Sequence, residues 1–578
     1  MKNITKILIA SLAIVGITTS CFKDLDRFPL NDTTNNEVYA TFQGTTEAFA
    51  KIFGSLALTA GDIQMGDEGM YTGFVRTFFN LQTLPTDEAH AWWGDDGIPE
   101  MNLETEFTAA NPFSEGLYAR CLVTIMFVND FLRNTTDGLV SERGFTEAQR
   151  TEIRYYRAEA RFVRAFMYWV LMDLFGNPPF ILEGNLPGEL PQQIQRADLF
   201  DWVVTELRYL ADNGLRAPGT NQFGRPDQAA AWALLARTFL NANVYTSPVG
   251  SPGNNPQFYT YAIYYASRVM EHHSLFDGMY EHLFLNDNYR MSAPGGEFIF
   301  SINFDGLRSR SVSGTTFLMA ATSNAGYRAT YRSTILCFGL IERDWGGYRT
   351  RLQHSELFEP NDRRFLFVGE NPSLSPDRSL WENGLSVFKW RNIPSTMVVD
   401  GCQRTMDSDG NFAGCTVCGP NEGCYLFQRV WDEGRRFGNA PDGSYADNNF
   451  PVFRVAEMML IYAEAVERGG NGGSQAQALA YMSQLRQRAG LSAITSYPTH
   501  PRGSLGWILD ERGRELYWEG HRRTDLVRFN LFTSGDFLWE YKGGTLSGRA
   551  LSPHLNIFPL PASDVAANRN LNQNDGYF

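Results

Sequence analysis

Paired amphipathic helices are the feature that most restricts what this chain can fold into. Residues 452–466 place apolar side chains at helical spacing for four turns, and a second apolar stripe follows a Gly-rich turn at 475–489. Ala residues recur at the positions where the two helices would touch. Hairpins of this kind bury a continuous core only when they stack against neighbours, so the sequence predicts a mainly α fold with tetratricopeptide-like helical hairpins. The same periodicity predicts helices at 146–175, from Pro226 onward and at 259–272.

The amino terminus has the form of an export signal. Lys2 and Lys6 precede an apolar run at 7–17, and small residues then lead into Cys21. The run is too short to cross a bilayer of about 30 Å as a helix. A cysteine directly after small residues is typical of a lipidation site, although an ordinary signal peptide with an incidental Cys21 is the alternative. We therefore predict a lipoprotein signal peptide at 1–20 and a lipidated tether at 21–40.

Composition restricts the partners of the mature chain. No later segment has 18 consecutive apolar residues, so no other membrane-spanning helix is predicted. The formal charge of −14 becomes −16 when the two leader lysines are removed, which makes nucleic acid a poor partner. A hydrophobic content of 43% is enough for a large core, and by length alone the mature chain could form two to four domains. Residues 291–450 are rich in Gly, Asn and Asp, which predicts a loop-rich insertion of loops and short strands between the helical hairpins.

The seven cysteines fall into three groups. Cys21 is the predicted lipid site, and Cys121 and Cys337 stand alone in apolar stretches and are interpreted as buried thiols. The other four lie within 402–424, where an exported protein is expected to form two disulfides. A zinc site is the alternative, although the spacing differs from the common zinc patterns. The four disulfide candidates are Cys402, Cys415, Cys418 and Cys424.

Two further signals concern ions and buried charge. The sequence DSDGN at 407–411 is a weak match to a calcium loop, so a structural calcium is the only bound ion considered, and neither a cofactor nor a catalytic metal is expected. In the segment 508–529, Asp510 and Arg514 have the i, i+4 spacing of a surface ion pair. The charged residues that follow are expected to satisfy buried polar groups between hairpins, and these are Arg522, Arg523 and Asp525.

Five motifs in order carry a resemblance to a known family. The chain resembles the SusD/RagB family of outer-membrane lipoproteins, and the resemblance covers nearly its whole length. The matching segments are CFKDLDRFP after the leader, RAEARFVRAFMYWVLMDLFGNPP (157–179), FPVFRVAEMMLIYAEA with LRQRAG (450–490), ILDERGRELYWEGHRRTDLVRF (508–529) and the terminal IFPLPASDVAANRNLNQNDGYF.

The resemblance implies a function as well as a fold. It implies one binding domain at 41–578, with a helical scaffold and a large irregular, loop-rich ligand-binding face. It also implies no catalysis and a surface-exposed, lipid-anchored position on the outer membrane. The implied partner is a SusC-like TonB-dependent outer-membrane barrel. The segments 73–89 and 526–544 are most similar to the starch-binding members, which makes a neutral oligosaccharide the implied ligand and an α-glucan the first to test.

A short aromatic loop fits that expectation. Trp92 and Trp93 are followed by acidic residues, and the flanking glycines and Pro99 indicate a loop rather than a core helix. Sugar rings have apolar faces and hydroxyl edges, so aromatic rings with polar rims suit them. The resemblance implies ligand contacts at Trp93, Asp96, Asp67, Arg76, Phe317 and Trp345.

Two other classes of function remain open from the sequence. Tetratricopeptide-like repeats commonly bind peptides, so a peptide-binding protein of the RagB type is the main alternative. A glycoside hydrolase needs two carboxylates about 5–10 Å apart, and 64 acidic residues make such a pair inevitable. The sequence shows no nucleophile elbow and no Gly-rich phosphate loop. The resemblance implies a binding protein rather than an enzyme, and this is our prediction.

Overall fold

The computed structural model is mainly helical, which confirms the predicted fold class. It describes residues 35–59, 71–185, 188–322, 345–368, 386–387, 389–392, 404–406, 412–415, 439 and 443–577. In these ranges the helices are α1 (Asn35–Val38), α2 (Phe42–Ala57), α3 (Phe74–Thr83), α4 (Ile98–Leu103), α5 (Pro112–Asn134), α6 (Asp137–Glu142), α7 (Glu147–Phe175), α8 (Arg196–Tyr209), α9 (Gln228–Leu240), α10 (Ala242–Tyr245), α11 (Pro256–Met270), α12 (Thr315–Ala320), α13 (Leu352–Ser355), α14 (Val455–Glu467), α15 (Gln475–Arg488), α16 (Gly503–Leu516), α17 (Arg522–Arg528) and α18 (Ala562–Ala567).

The strands are short and form two-stranded antiparallel pairs. β1 pairs with β5, β2 with β3, β4 with β10, β6 with β7 and β8 with β9. Their bounds are β1 (Ala89–Ala91), β2 (Pro179–Phe180), β3 (Gln192–Gln193), β4 (Phe298–Ile302), β5 (Tyr348–Thr350), β6 (Phe367–Val368), β7 (Ser386–Val387), β8 (Arg404–Met406), β9 (Phe412–Cys415) and β10 (Phe450–Arg454).

The longest helix follows the expected sequence signals. α7 begins after a capping box in which the Thr146 hydroxyl accepts from the Gln149 amide and the Gln149 side chain accepts from the Thr146 amide. Its apolar stripe is buried, and it ends at Gly176 with φ +73°. α7 packs against α5 and α8, so it lies in the middle of the helical core.

The predicted helical pairs pack against one another. α9 contacts α11, α11 contacts α14, and α14 contacts α15, so the apolar stripes of these helices face a common core. The tetratricopeptide-like character of these pairs stays a prediction. No helix in the described ranges has both the length and the apolar content to span a membrane.

The start of α14 corrects the sequence interpretation. Val452 was predicted to open a four-turn helix, but it lies in β10, and α14 begins at Val455. The reason is long-range pairing, since β10 pairs with β4 from the predicted insertion and holds Arg454 in an extended conformation. Both strands are buried at every position, so this part of the insertion contributes to the core.

The segment 508–529 shows one wrong prediction and one correct prediction. Arg514 is buried and its Nε donates to Glu511 at 2.7 Å, whereas Asp510 contacts His500, so the predicted surface pair does not form. The expected buried roles are confirmed: Arg522 binds Asp87 through two hydrogen bonds of 2.7 Å each. The Arg523 guanidinium donates to the Leu555 carbonyl, and Asp525 accepts from two arginines, Arg512 and Arg528.

Candidate functional site

The aromatic loop at 92–97 is held in place by the strand pair on its amino-terminal side. β1 and β5 place Ala91 opposite Tyr348, and the pairing continues one step further because the Trp92 amide donates to the Gly347 carbonyl at 3.0 Å. On the other side, Gly97 adopts φ +85° and its carbonyl accepts from the Asn111 side chain at 3.1 Å. A Cβ at residue 97 would lie 2.8 Å from the Asn111 amide nitrogen, so glycine is required there.

The two adjacent indoles share one hydrogen-bond acceptor. The Nε1 atoms of Trp92 and Trp93 both donate to the carbonyl oxygen of Gly346, at 3.2 and 2.8 Å. A carbonyl oxygen has two lone pairs and can accept both bonds. Trp92 remains 47% exposed, whereas Trp93 is half-buried. The loop therefore presents Trp92 to solvent and directs Trp93 into the protein surface.

A cluster of aromatic rings supports the inner indole. The ring centroid of Trp93 lies 5.0 Å from that of Tyr348 and 6.2 Å from that of Phe317. Phe317 in turn lies 6.3 Å from the half-buried Trp345 and 5.3 Å from Tyr348. Phe317 and Tyr348 are each 1% exposed, so they form the floor beneath the rings. Tilted and edge-on contacts at these distances are favourable for aromatic pairs.

The turn that carries the shared acceptor is fixed to α12. The amides of Trp345 and Gly346 both donate to the Ala320 carbonyl, at 3.0 and 3.2 Å. The amide of Tyr348 donates to the Ala321 carbonyl at 2.8 Å. Since α12 also carries Phe317, one short helix positions both the floor of the cluster and the Gly346 acceptor.

Arg76 lies under the aromatic floor. It is 1% exposed, and its guanidinium stacks over the ring of Phe317 at 4.4 Å and the ring of Phe113 at 5.1 Å. Burial lowers the pKa of Arg76, while nearby Tyr348 and Asp95 act in the opposite direction. Burial raises the pKa of the Tyr348 hydroxyl, which donates to Asn80 at 3.0 Å. The site is therefore aromatic, with its cationic group beneath the rings.

The acidic residues of the loop lie at its rim. Asp96 is exposed, and Asp95 is half-buried and interacts electrostatically with Arg76. The carbonyl of Asp95 accepts from the Ile98 amide at 3.1 Å, which turns the chain into α4. Carboxylate oxygens at the edge of an aromatic surface can accept hydrogen bonds from hydroxyl groups.

The structure brings four of the six sequence-predicted ligand contacts into one cluster: Arg76, Trp93, Phe317 and Trp345. Asp96 lies on the same loop as Trp93, and Asp67 lies outside the described residues. Sequence reasoning missed Tyr348 and the Gly346 carbonyl as parts of the site. The only local signal for them was their position directly after Trp345.

The cysteine and ion predictions fall largely outside the described ranges. Cys121 is a buried free thiol, as predicted, and burial raises its pKa. Cys415 ends β9, but the loop at 407–411 and the remaining members of the cysteine groups lie outside, namely Cys21, Cys337, Cys402, Cys418 and Cys424. In the part of the chain that the structure describes, no group of three or more His, Cys, Asp or Glu side chains is arranged to hold a metal ion.

Comparisons with known proteins give a consistent result. A family model described as "SusD family" matches residues 419–577. The chain is 31% identical to the Starch-binding protein SusD of Bacteroides thetaiotaomicron, over 98% of each chain. It is 24% identical to the SusD-like protein P2 of Formosa agariphila, over 77% of this chain and 78% of the relative.

Solved structures share the fold. The surface glycan-binding protein A of Bacteroides thetaiotaomicron in complex with laminarihexaose superposes with a TM-score of 0.63 at 20% identity, over 92% of this chain and 99% of the other. A SusD superfamily protein from Parabacteroides distasonis gives a TM-score of 0.63 at 19% identity, with the same coverage. At these sequence identities the structural similarity shows a shared fold and does not by itself show a shared ligand.

Proposed function

This chain belongs to the SusD family, and from that premise we propose that it is a cell-surface binding protein that captures a neutral oligosaccharide on the Trp92–Trp93 loop and delivers it to a SusC-type TonB-dependent transporter. The observation that carries the proposal is the pair of indoles anchored to the single carbonyl of Gly346, with Trp92 47% exposed. An exposed tryptophan held on a hydrogen-bonded loop is a preformed surface for stacking.

The chemistry of the loop suits a sugar. The apolar C–H face of a sugar ring would stack on the indoles, and its hydroxyl groups would reach the rim acceptor Asp96. Trp345 is proposed as a second aromatic contact. Arg76 and Phe317 are 1% exposed, so their proposed contribution is to support the rings from beneath. Asp67 completes the proposed contacts.

An α-glucan is the first ligand to test. The support is the name of the relative that is 31% identical, a starch-binding protein. Laminarihexaose, present in the structure of one neighbour of the same fold, is a β-glucan and is therefore the alternative glucan to test. A peptide of the kind bound by RagB-type proteins is the second candidate. We propose that the protein is not an enzyme and needs no cofactor for binding.

Calorimetry with a ligand panel tests the proposal. The panel contains maltooligosaccharides, laminarioligosaccharides, other neutral glycans and peptides, with and without EDTA to detect a calcium requirement. Burying an aromatic face is worth about 1–3 kcal/mol, so Trp92→Ala and Trp93→Ala should each weaken binding by roughly 5- to 150-fold. Tyr264→Ala is the matched control, because Tyr264 is 56% exposed on α11 and belongs to no part of the proposed site.

The possible results separate the functional classes. Binding of glycans that is weakened by the loop variants supports the proposal. Binding of peptides alone would favour the RagB type, and release of shorter sugars from a bound glycan would identify a glycoside hydrolase. If Trp92→Ala and Trp93→Ala both leave the affinity unchanged, the binding site lies elsewhere.

The proposed location depends on Cys21. We propose that its thiol carries the lipid anchor that holds the protein on the outer face of the outer membrane. Cys21→Ala should release the protein into the soluble fraction when it is expressed without a partner transporter. Pull-down in mild detergent from the native host should recover a large TonB-dependent barrel, and its repeated absence would contradict the proposed partnership.

The cysteine cluster is proposed to form two disulfides among Cys402, Cys415, Cys418 and Cys424. Each such bridge contributes about 2–4 kcal/mol by restricting the unfolded chain. Intact mass after alkylation without reductant should show these four thiols blocked. Four alkylated thiols, or zinc in a metal assay, would overturn the pairing.

A further inference from the structure

The most distinctive sequence motif, at 508–529, has no role in the proposed glycan site. It forms α16, the connecting turn and α17, and its charged side chains are paired inside the protein. The Nε of Arg512 donates to Asp525 at 2.7 Å, and the Nε of Arg528 donates to Glu464 at 2.7 Å.

This buried charge network encloses a small polar cavity of about 10 Å³. The motif supplies much of its wall, including Arg512, His521 and Asp525. α7 contributes Trp169 and α9 contributes Arg237, whose guanidinium lies 5.3 Å from the centroid of the Trp169 indole ring. Five helices, α7, α9, α14, α16 and α17, therefore meet around this space.

Two buried donors in the cavity wall have no partner among the described residues. Nε1 of Trp169 and Nη1 of Arg512 are both shielded from solvent and make no hydrogen bond. Trp169 is 2% exposed and Arg512 is 3% exposed. A buried donor without a partner costs about 1–3 kcal/mol, and charged donors cost more. Two such donors on residues that line one cavity would both be satisfied by a hydrogen-bond acceptor bound inside it.

The surrounding charges favour an acceptor over a cation. Both oxygens of Glu457 already accept from Arg237, and Asp525 accepts from Arg512 and Arg528. The carboxylates are thus engaged by arginines. His521, which borders the cavity, has a pKa well below its usual range because of burial and because of neighbouring Arg237 and Arg512.

We propose that this cavity binds one small hydrogen-bond acceptor, either a water molecule or a chloride ion, held by Trp169 Nε1 and Arg512 Nη1. A cavity of about 10 Å³ is near the lower limit for one water molecule, so any ligand of two or more non-hydrogen atoms is excluded by size. Chloride is larger than water and fits only if the cavity wall relaxes slightly. The bound species completes the hydrogen bonding at the junction of the five helices. The motif thereby acquires a binding role that is separate from glycan capture.

A crystal structure of the full chain grown in sodium bromide tests the proposal. Density within hydrogen-bond distance of both Trp169 Nε1 and Arg512 Nη1 is expected. An anomalous bromide peak there identifies an anion site, and a peak without anomalous signal identifies water. An empty cavity, or either donor bonded directly to a protein acceptor, overturns the proposal.

A matched variant gives a second readout. Trp169→Phe keeps an aromatic ring but removes the donor, so the density should be lost or its occupancy reduced, whereas Trp232→Phe, outside the cavity, should leave it unchanged. A thermal unfolding experiment in solution compares chloride with gluconate at equal ionic strength. If the bound species is chloride, the Tm of the wild-type protein should be higher in chloride than in gluconate, and the Tm of Trp169→Phe should not differ between the two salts. Unchanged density in Trp169→Phe would overturn the assigned role of that donor.

Discussion

Gly347 lies directly against Trp93: a Cβ at residue 347 would be 2.2 Å from the indole nitrogen. The same nitrogen donates to the preceding carbonyl, that of Gly346, at 2.8 Å. Gly346 and Gly347 therefore both contribute to the position of Trp93. Gly347 leaves room for the indole of Trp93, and Gly346 supplies the acceptor that orients both indoles.

Gly347→Ala should displace Trp93 and break its hydrogen bond to Gly346. The new methyl group overpacks a well-filled contact, which costs about 1–3 kcal/mol of folding stability. Tryptophan fluorescence should change, the Tm should fall, and glycan affinity should decrease. Gly94→Ala is the control, because a Cβ at Gly94 meets no atom within 4 Å. Equal behaviour of the two variants would contradict the role given to Gly347.

Trp92→Ala and Trp93→Ala should separate binding from stability. Trp92 is 47% exposed, so its loss should change the free energy of unfolding by less than about 1 kcal/mol while it weakens glycan binding. Trp93 contacts the rings of Phe317 and Tyr348, so its loss should weaken binding and also lower stability measurably. Denaturant unfolding and calorimetry on the same samples measure both effects. A larger loss of stability in Trp92→Ala than in Trp93→Ala would contradict this prediction.

Local pattern predicted the helices well because their causes are local. Apolar spacing and the Thr146 capping box fix α7 in the sequence itself. Val452 was misassigned because its extended conformation depends on a strand about 150 residues earlier in the chain. The predicted Asp510–Arg514 surface pair was wrong because Arg514 is buried and donates to Glu511, while Asp510 contacts His500.

The candidate site was predictable only in part, because some of its contacts join residues that are far apart in the sequence. Glycines and Pro99 around two tryptophans indicate an aromatic loop without any tertiary information. The acceptor that orients Trp93 is 253 residues away in sequence. No pattern within the loop contains that contact, and no pattern near Phe317 indicates that its ring lies beneath the indoles.

Arg454→Met should destabilise the fold strongly. Arg454 is 1% exposed and donates to Glu515 at 2.6 Å, Glu519 at 2.7 Å and Glu297 at 3.1 Å. Removing the cation leaves buried carboxylates without their partner, which typically costs about 3–5 kcal/mol. The control is Arg308→Met, whose exposed pair with Asp305 is worth about 0–1 kcal/mol. Denaturant midpoints of the two variants should differ accordingly, and equal midpoints would contradict a stabilising role for the buried network.

Glu104→Gln should alter the pH dependence of stability. Glu104 is fully buried, and burial raises its pKa to about 8 from 4.5, against the opposing effects of Arg351 and Lys542. Between these two values the folded protein holds a proton that the unfolded chain releases. The contribution of this carboxyl to the stability of the wild-type protein is therefore complete at low pH. It is lost as the pH rises from about 4.5 to about 8.

Glutamine keeps the shape of the neutral carboxyl and does not titrate, so Glu104→Gln lacks this loss. The free energy of unfolding of the variant relative to the wild type should increase from pH 5 to pH 8, by at most about 1.4 kcal/mol per pH unit. Lys542, whose pKa burial lowers to about 8, titrates in both proteins, so its direct effect largely cancels in the difference. Urea unfolding at pH 5, 6, 7 and 8 measures the profile. Parallel profiles for the two proteins would show that Glu104 is already ionised in the folded state at pH 5.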